Sequence, residues 1–175
     1  MRYFIVFLCA ASLFSCSQNK QTTKKTGSYF EVKEFFEKEV KRLQKSNPVV
    51  TKIVSRNNVS QTKDIRDINW ENELSLFIES DINKPAWNDS YKIRVDGLNT
   101  LYTATDTSLR TRELRIRKDK DGFIKQVEIQ NKTINRLYQS TEKLIYFPDS
   151  LYQIHKTQNV LIIGNNRYFI QGNLK

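Results

Sequence analysis

Leu114-Arg115-Ile116-Arg117-Lys118-Asp119-Lys120-Asp121-Gly122-Phe123-Ile124-Lys125-Gln126-Val127-Glu128-Ile129 is the stretch on which the fold is decided. Apolar residues recur at every second position on both sides of Asp121-Gly122: Leu114 and Ile116 before it, Val127 and Ile129 after it. A period of two places them on one face of a strand, and Asp-Gly is the dipeptide a tight hairpin favours. The pattern spreads outward. Tyr91, Ile93 and Val95 alternate with Lys92 and Arg94. Further strands are expected at Asn99 to Thr105, Arg112 to Lys118, Phe123 to Gln130, Leu137 to Phe147, Leu151 to Lys156, Val160 to Ile163 and Arg167 to Gly172. Pro148-Asp149 and Gly164-Asn165-Asn166 supply turn residues between them, so consecutive hairpins form an antiparallel meander.

Upstream the period changes. Tyr29, Val32, Phe36, Val40 and Leu43 recur at three- and four-residue steps, predicting a helix from Tyr29 to Lys45. Ser28 and Glu31 have the spacing of a capping box, Asn47-Pro48 ends the helix, and Glu34 with Lys38 and Glu37 with Lys41 are expected ion pairs. Val49 to Ser55 reads as a strand, Arg56-Asn57-Asn58 as a turn and Val59 to Lys63 as its partner. Trp70, Leu74, Phe77 and Ile78 predict a second helix, capped by Asn69 or Asp67 and ending near Asn83. The expected fold is α+β, two N-terminal amphipathic helices packed on a curved antiparallel sheet of about seven strands. In element order alone this resembles the helix-plus-curved-sheet envelope proteins that carry lipoproteins, and also the cystatin-like class.

The first residues are of another kind. Arg2 precedes the apolar run Tyr3 to Ala11, and Ser12-Leu13-Phe14-Ser15 leads to Cys16. A membrane span needs about 20 apolar residues, and polar Ser17-Gln18-Asn19-Lys20 arrives too early, so residues 1–15 read as a signal peptide. Leu13-Phe14-Ser15-Cys16 resembles the lipobox of bacterial lipoproteins, with Phe14 bulkier than that family's usual residue. The resemblance implies cleavage before Cys16 and acyl chains on it; an ordinary secretory leader with Cys16 as a free thiol is the alternative. Because Ser17 is not aspartate, the resemblance also implies outer-membrane delivery, and Lys20, Lys24 and Lys25 in place of an acidic run favour a periplasm-facing position. Residues 16–28 then form the lipidated cysteine and a flexible tether spanning about 20 Å, and residues 29–175 a single domain. Cys9 and Cys16 are the only cysteines, so the mature chain would keep no thiol for a disulfide, a nucleophile or a zinc site.

The stretch from Arg117 to Glu128 matches an EF-hand loop at its third, fifth, sixth, eighth and twelfth positions, but Arg117 puts a cation where the first ligand belongs. A hairpin turn explains the same residues, and no metal or cofactor is expected. His155 is the sole histidine, with Asp149 and Ser150 nearby in sequence; it shares a strand face with Leu151 and Gln153, and no G-x-S-x-G element accompanies it. The carboxylate pairs Glu71 with Glu73 and Asp64 with Asp67 do not point together on a strand or helix, and no phosphate or dinucleotide loop is present.

Charge is the stronger signal: 29 Lys and Arg against 19 Asp and Glu give a formal +10. Arg115, Arg117, Lys118 and Lys120 are the candidate anionic-surface site, for lipid headgroups or glycans, with a solvated strand face as the plain alternative. Trp70, Phe77 and Trp87 are the candidate lining of an apolar ligand pocket, and Asn83 to Asp89 either a core-anchoring loop or a ligand gate. The expected partners are a membrane, through lipid on Cys16, and anionic headgroups, glycans or another envelope protein, but no nucleic acid. The sequence therefore reads as an envelope binding or assembly module, with an acyl-chain carrier as the first alternative and a hydrolase as the second.

Overall fold

The computed structural model describes residues 29–162 and 164–175. The leader, Cys16, the tether, the Ser28 cap and Ile163 lie outside the described residues. The element order is α1 (Val32–Ser46), β1 (Val50–Arg56), β2 (Val59–Ile65), α2 (Trp70–Glu73), α3 (Ser75–Ile78), a 3-10 turn (Pro85–Trp87), β3 (Tyr91–Asp96), β4 (Asn99–Ala104), β5 (Thr111–Lys118), β6 (Ile124–Ile134), β7 (Tyr138–Phe147), β8 (Leu151–Val160) and β9 (Gly164–Leu174).

The class is α+β, as the alternation implies, but the sheet has nine strands rather than about seven. The meander runs from β3 to β9 in chain order, and the β1–β2 hairpin adds to its far side through β1 on β9. That pairing joins the first and last strands, which alternation cannot reveal because it fixes a strand's faces and not its neighbours. Leu114 and Ile116 of β5 are buried, as are Val127 and Ile129 of β6, Leu144 and Tyr146 of β7, and Tyr152 and Ile154 of β8. The helical segments cover this face; the opposite face has no covering layer among the described residues.

The two expected amphipathic helices are only partly present: α1 is the one long helix, and the second is broken into two four-residue segments. Leu74 sits between them at φ −99° and ψ 8°, outside helical geometry. Its N–H turns to the carbonyls of Asn72 and Trp70, while Ser75 Oγ donates to Asn72 O at 2.9 Å. Short polar side chains compete in this way for backbone partners. Trp70, Leu74 and Phe77 are nonetheless all buried, so the periodicity locates the apolar face correctly and misses only the break. Asn69 is the cap, its side chain accepting from Asn72 N–H.

α1 also starts later than its periodicity suggests, because Tyr29 and Phe30 are claimed from a distance. Asn83 accepts from Tyr29 N–H at 3.0 Å and donates to Phe30 O at 2.9 Å. The Tyr29 hydroxyl donates to Asn88 O and accepts from Tyr91 N–H. At the other terminus Asn47 adopts φ 42° and caps the helix, its side chain exchanging hydrogen bonds with Asp67. Lys38 reaches Glu34 at 2.6 Å as expected, but Glu37 pairs backward with Lys33 rather than forward with Lys41.

Two similar clamps fasten the helices to the sheet. The Tyr146 hydroxyl donates to Glu39 of α1, which Arg42 grips through two nitrogens before reaching on to Asp149. The Tyr152 hydroxyl donates to Glu73 of α2 at 2.7 Å, and Lys52 of β1 takes the other carboxylate oxygen. Burial first and the glutamate second push both phenols well above their ordinary pKa, so each stays a neutral donor. Gly172 lies directly beneath the Tyr152 ring, where a Cβ would collide with it.

The expected short strand from Val160 to Ile163 does not exist. β8 runs on to Val160, and the chain turns at Leu161 and Ile162 instead of at Gly164-Asn165-Asn166, which belong to β9.

Candidate functional site

β4 and β5 stop near the level where Thr111 faces Asn131, while β6 to β9 continue beyond it. The overhanging sheet and the α3 segment enclose a groove of about 750 Å³, a size typical of small-molecule sites. Bulk aliphatic lining comes from Leu76 and Ile78 alone; the rest is charged or hydroxyl-bearing, including Lys33, Lys84, Arg110, Tyr138, Ser140 and Glu142.

Glu142 organises it. The strand period aims this residue at the helix side, where Arg110 Nη2 meets Oε2 at 2.8 Å and Lys156 Nζ meets Oε1 at 3.1 Å. Asn131 Nδ2 adds a bond at 3.2 Å. Burial alone would raise the Glu142 pKa, but the Lys156 hydrogen bond, both cations and Asn131 outweigh it and hold the carboxyl below its usual range. The cluster continues inward: Asn131 donates to Ser80 Oγ, Ser80 to Leu76 O, Thr111 to Ser80 O, and Tyr91 to Thr111 O.

This polar cluster leaves acceptors and donors over. Ser140 Oγ, Asn131 Oδ1 and Asp81 Oδ1 are buried and have no hydrogen-bond partner among the described residues. Ser140 and Asn131 are only 5% and 4% exposed. Buried polar groups are paired in the great majority of cases; Ser140 and Asp81 line the groove, so their unpaired atoms mark where solvent or a ligand would meet them, while Asn131 lies behind the wall.

The residues singled out from sequence fall elsewhere. Trp70 packs edge-on to Tyr152, and Phe77 against Phe36 and Tyr146; both belong to the core and neither lines the groove. Trp87 is half-buried on the 3-10 turn with Lys84 Nζ over its ring at 4.3 Å. Asn83 to Asp89 holds the start of α1, the anchoring role, through Asn83 and Asn88. Arg115 and Arg117 project, exposed, from the uncovered face. Arg115 stands across the ladder from Glu128, whose carboxylate pairs with Lys143 at 3.0 Å, and Arg117 from Gln126. Lys118 and Lys120 are exposed beside the following turn. In that turn Asp119 Oδ1 accepts from the N–H groups of Asp121 and Phe123, and Oδ2 pairs with Lys125 at 3.3 Å. The turn therefore occupies the Asp119 carboxylate, and Lys143 pairs with Glu128, two of the carboxylates an EF-hand would need.

His155 lies exposed on the uncovered face with its ring 4.7 Å from that of Phe169, and burial, then Lys143, lowers its pKa. Asp149 is held by Arg42 on the helix side, so no triad assembles with Ser150. No group of metal-binding side chains gathers among the described residues, and no described helix is long and apolar enough to cross a membrane.

Fold and groove together define a class: an antiparallel meander, covered on one face by helices, with a charged groove where the cover ends. Comparison with protein-family models, curated proteins and solved structures gives no match that would place the chain in a particular family.

Proposed function

We propose that this chain is a binding module of the bacterial envelope rather than an enzyme, anchored by lipid on Cys16 in the outer membrane and facing the periplasm. Its groove takes a hydroxyl-rich ligand of the envelope-glycan class. The observation that carries this reading is the unpartnered Ser140 Oγ and Asp81 Oδ1 on residues that line a groove bearing both signs of charge. A saccharide offers donors and acceptors together and satisfies such a wall, while Tyr138 supplies a ring face. An acyl chain would leave these groups desolvated and unpaired.

The test is a titration of the full chain with soluble disaccharide fragments of peptidoglycan, followed by amide shifts and heat. Saturable binding with shifts centred on Thr133, Tyr138 and Lys84, weakened at least tenfold by Tyr138→Ala, is the expected result. Absence of saturable heat at millimolar fragment, or tighter binding of a fatty acid, would reject the reading. Intact-mass analysis of the membrane fraction checks the anchor: the chain should begin at Cys16 and carry acyl mass.

A further inference from the structure

The overhanging strands β6 to β9 end in two hairpin tips whose composition is unusual. Ile134 and Leu137 at the first tip are 56% and 71% exposed, and Leu161 and Ile162 at the second are 78% and 94% exposed. The tips touch, Leu161 N–H donating to Leu137 O at 3.1 Å. Hairpin turns ordinarily take Gly, Asn, Asp or Ser, yet Leu137, Leu161 and Ile162 occupy two adjoining turns, with Ile134 beside them at the end of β6, and none of the four joins the core.

Their electrostatic setting is equally one-sided. Lys132, Arg136 and Arg167 surround the tips, all exposed and none ion-paired among the described residues. Residues 132–141 and 157–167 contain no aspartate or glutamate. The opposite end of the sheet also exposes Leu98 and Phe123, but there Asp96, Asp119 and Asp121 are interleaved with them. The direction of the chain adds a third observation. Tyr29 packs on Tyr91, the first residue of β3, and Tyr91 pairs with Ala104 at the end of the sheet that carries the aliphatic tips. Residues 1–28 therefore join the domain at the same end.

We propose that the paired β6–β7 and β8–β9 tips dock into the surface of an anionic lipid bilayer. Leu137, Leu161 and Ile162 enter the boundary between headgroups and acyl chains, and Lys132, Arg136 and Arg167 meet the headgroup phosphates. Aliphatic side chains protruding in a ring of cations are the features that favour an interfacial position, and each cation near an anionic surface strengthens binding several-fold. A second copy of the chain is a poorer occupant, because apposed tips would bring like charges together. The groove takes no part; the placing of residues 1–28 at this end bears on the membrane only through the anchor proposed above, while the aliphatic tips and their cations do not depend on it.

The test uses the chain from residue 16 onward, the mature form proposed above, with Cys16→Ser and one introduced thiol, Ile162→Cys or, at the other end, Leu98→Cys, carrying a polarity-sensitive fluorophore. With vesicles of phosphatidylcholine and phosphatidylglycerol, the probe at 162 should shift to the blue and be quenched by brominated acyl chains. With phosphatidylcholine alone it should respond weakly, and the probe at 98 should stay in water in both. Lys132→Gln with Arg136→Gln should raise the lipid concentration needed for half the response about tenfold or more. Leu137→Cys is the second position should 162 disturb the turn, with circular dichroism confirming each fold. A probe that stays in water at both tip positions, equal responses at 162 and 98, or a response that depends on protein concentration without lipid would each overturn the proposal.

Discussion

Tyr146 and Ser140 lie on the same strand and point to the same side of the sheet, yet their hydroxyls meet opposite circumstances. Toward the end where α1 finishes, Tyr146 and Tyr152 each donate to a glutamate that is itself held by a cation. Toward the end where α1 begins, Ser140 has no partner and Asn131 uses only its amide nitrogen. One sheet face thus carries a sealed region, where each buried hydroxyl is paired, and an open one, where Glu142 is paired but Ser140 Oγ is not. Residues under selection for folding alone have no cause to leave buried atoms unpaired, and the open region is where the proposed ligand would meet them.

The largest effect should come from the sealed region. Phe36 is fully buried between Phe77 and Tyr146, with ring centroids at 4.8 and 5.2 Å. Phe36→Ala should cost roughly 3–5 kcal/mol, read as a lower denaturant midpoint at unchanged slope. A loss below about 1 kcal/mol would mean that the aromatic cluster is not the seal.

Glu142→Gln should have an intermediate effect of about 1–2 kcal/mol near neutral pH, since Arg110 and Lys156 lose their carboxylate but can still reach solvent. Because the folded carboxyl titrates below its unfolded value, its stabilisation is complete above the unfolded pKa and disappears as pH falls through the folded one. The difference between parent and variant should accordingly be constant above about pH 5 and shrink in stronger acid. A difference that grows on acidification would contradict the ion-pair account.

The smallest effects make the sharpest comparison, because the same group is deleted at each end. Tyr146→Phe leaves Glu39 without its phenolic donor and should cost about 1 kcal/mol; Ser140→Ala should stay within about 0.5 kcal/mol of the parent or stabilise it slightly. Equal costs measured by thermal and denaturant unfolding would erase the distinction between the two ends.

Much of the sealed region can be read from the chain. Leu114 with Ile116 and Val127 with Ile129 announce their face through local alternation, and the Phe36 face follows from helical spacing, because burial of one side leaves a periodic trace. The open region leaves no such trace. Arg110 sits in the loop before β5, and Asn131, Glu142 and Lys156 on β6, β7 and β8; only strand pairing brings them together. Glu142 alone carried a signal, a charged residue on the period of Leu144 and Tyr146 where an apolar one would continue the core. The tips were misread for a related reason. Leu161 and Ile162 have the composition of a strand, and their place in a turn depends on how far β8 extends along β7.

The pairing of β1 with β9 has a consequence in time rather than in space. Val50 faces Leu174 and the Lys175 N–H reaches Val49 O, so the strand delivered first is registered by the strand delivered last. A chain that emerges amino terminus first presents α1 and the β1–β2 hairpin long before their neighbour in the sheet arrives. An isolated two-stranded hairpin is marginal in water, and before β7 is present α1 has only the short α2 and α3 segments to bury against. The β1–β2 hairpin and α1 should therefore gain their lasting neighbours only after β7, β8 and β9 have followed them, and the strands that appear first join the sheet last.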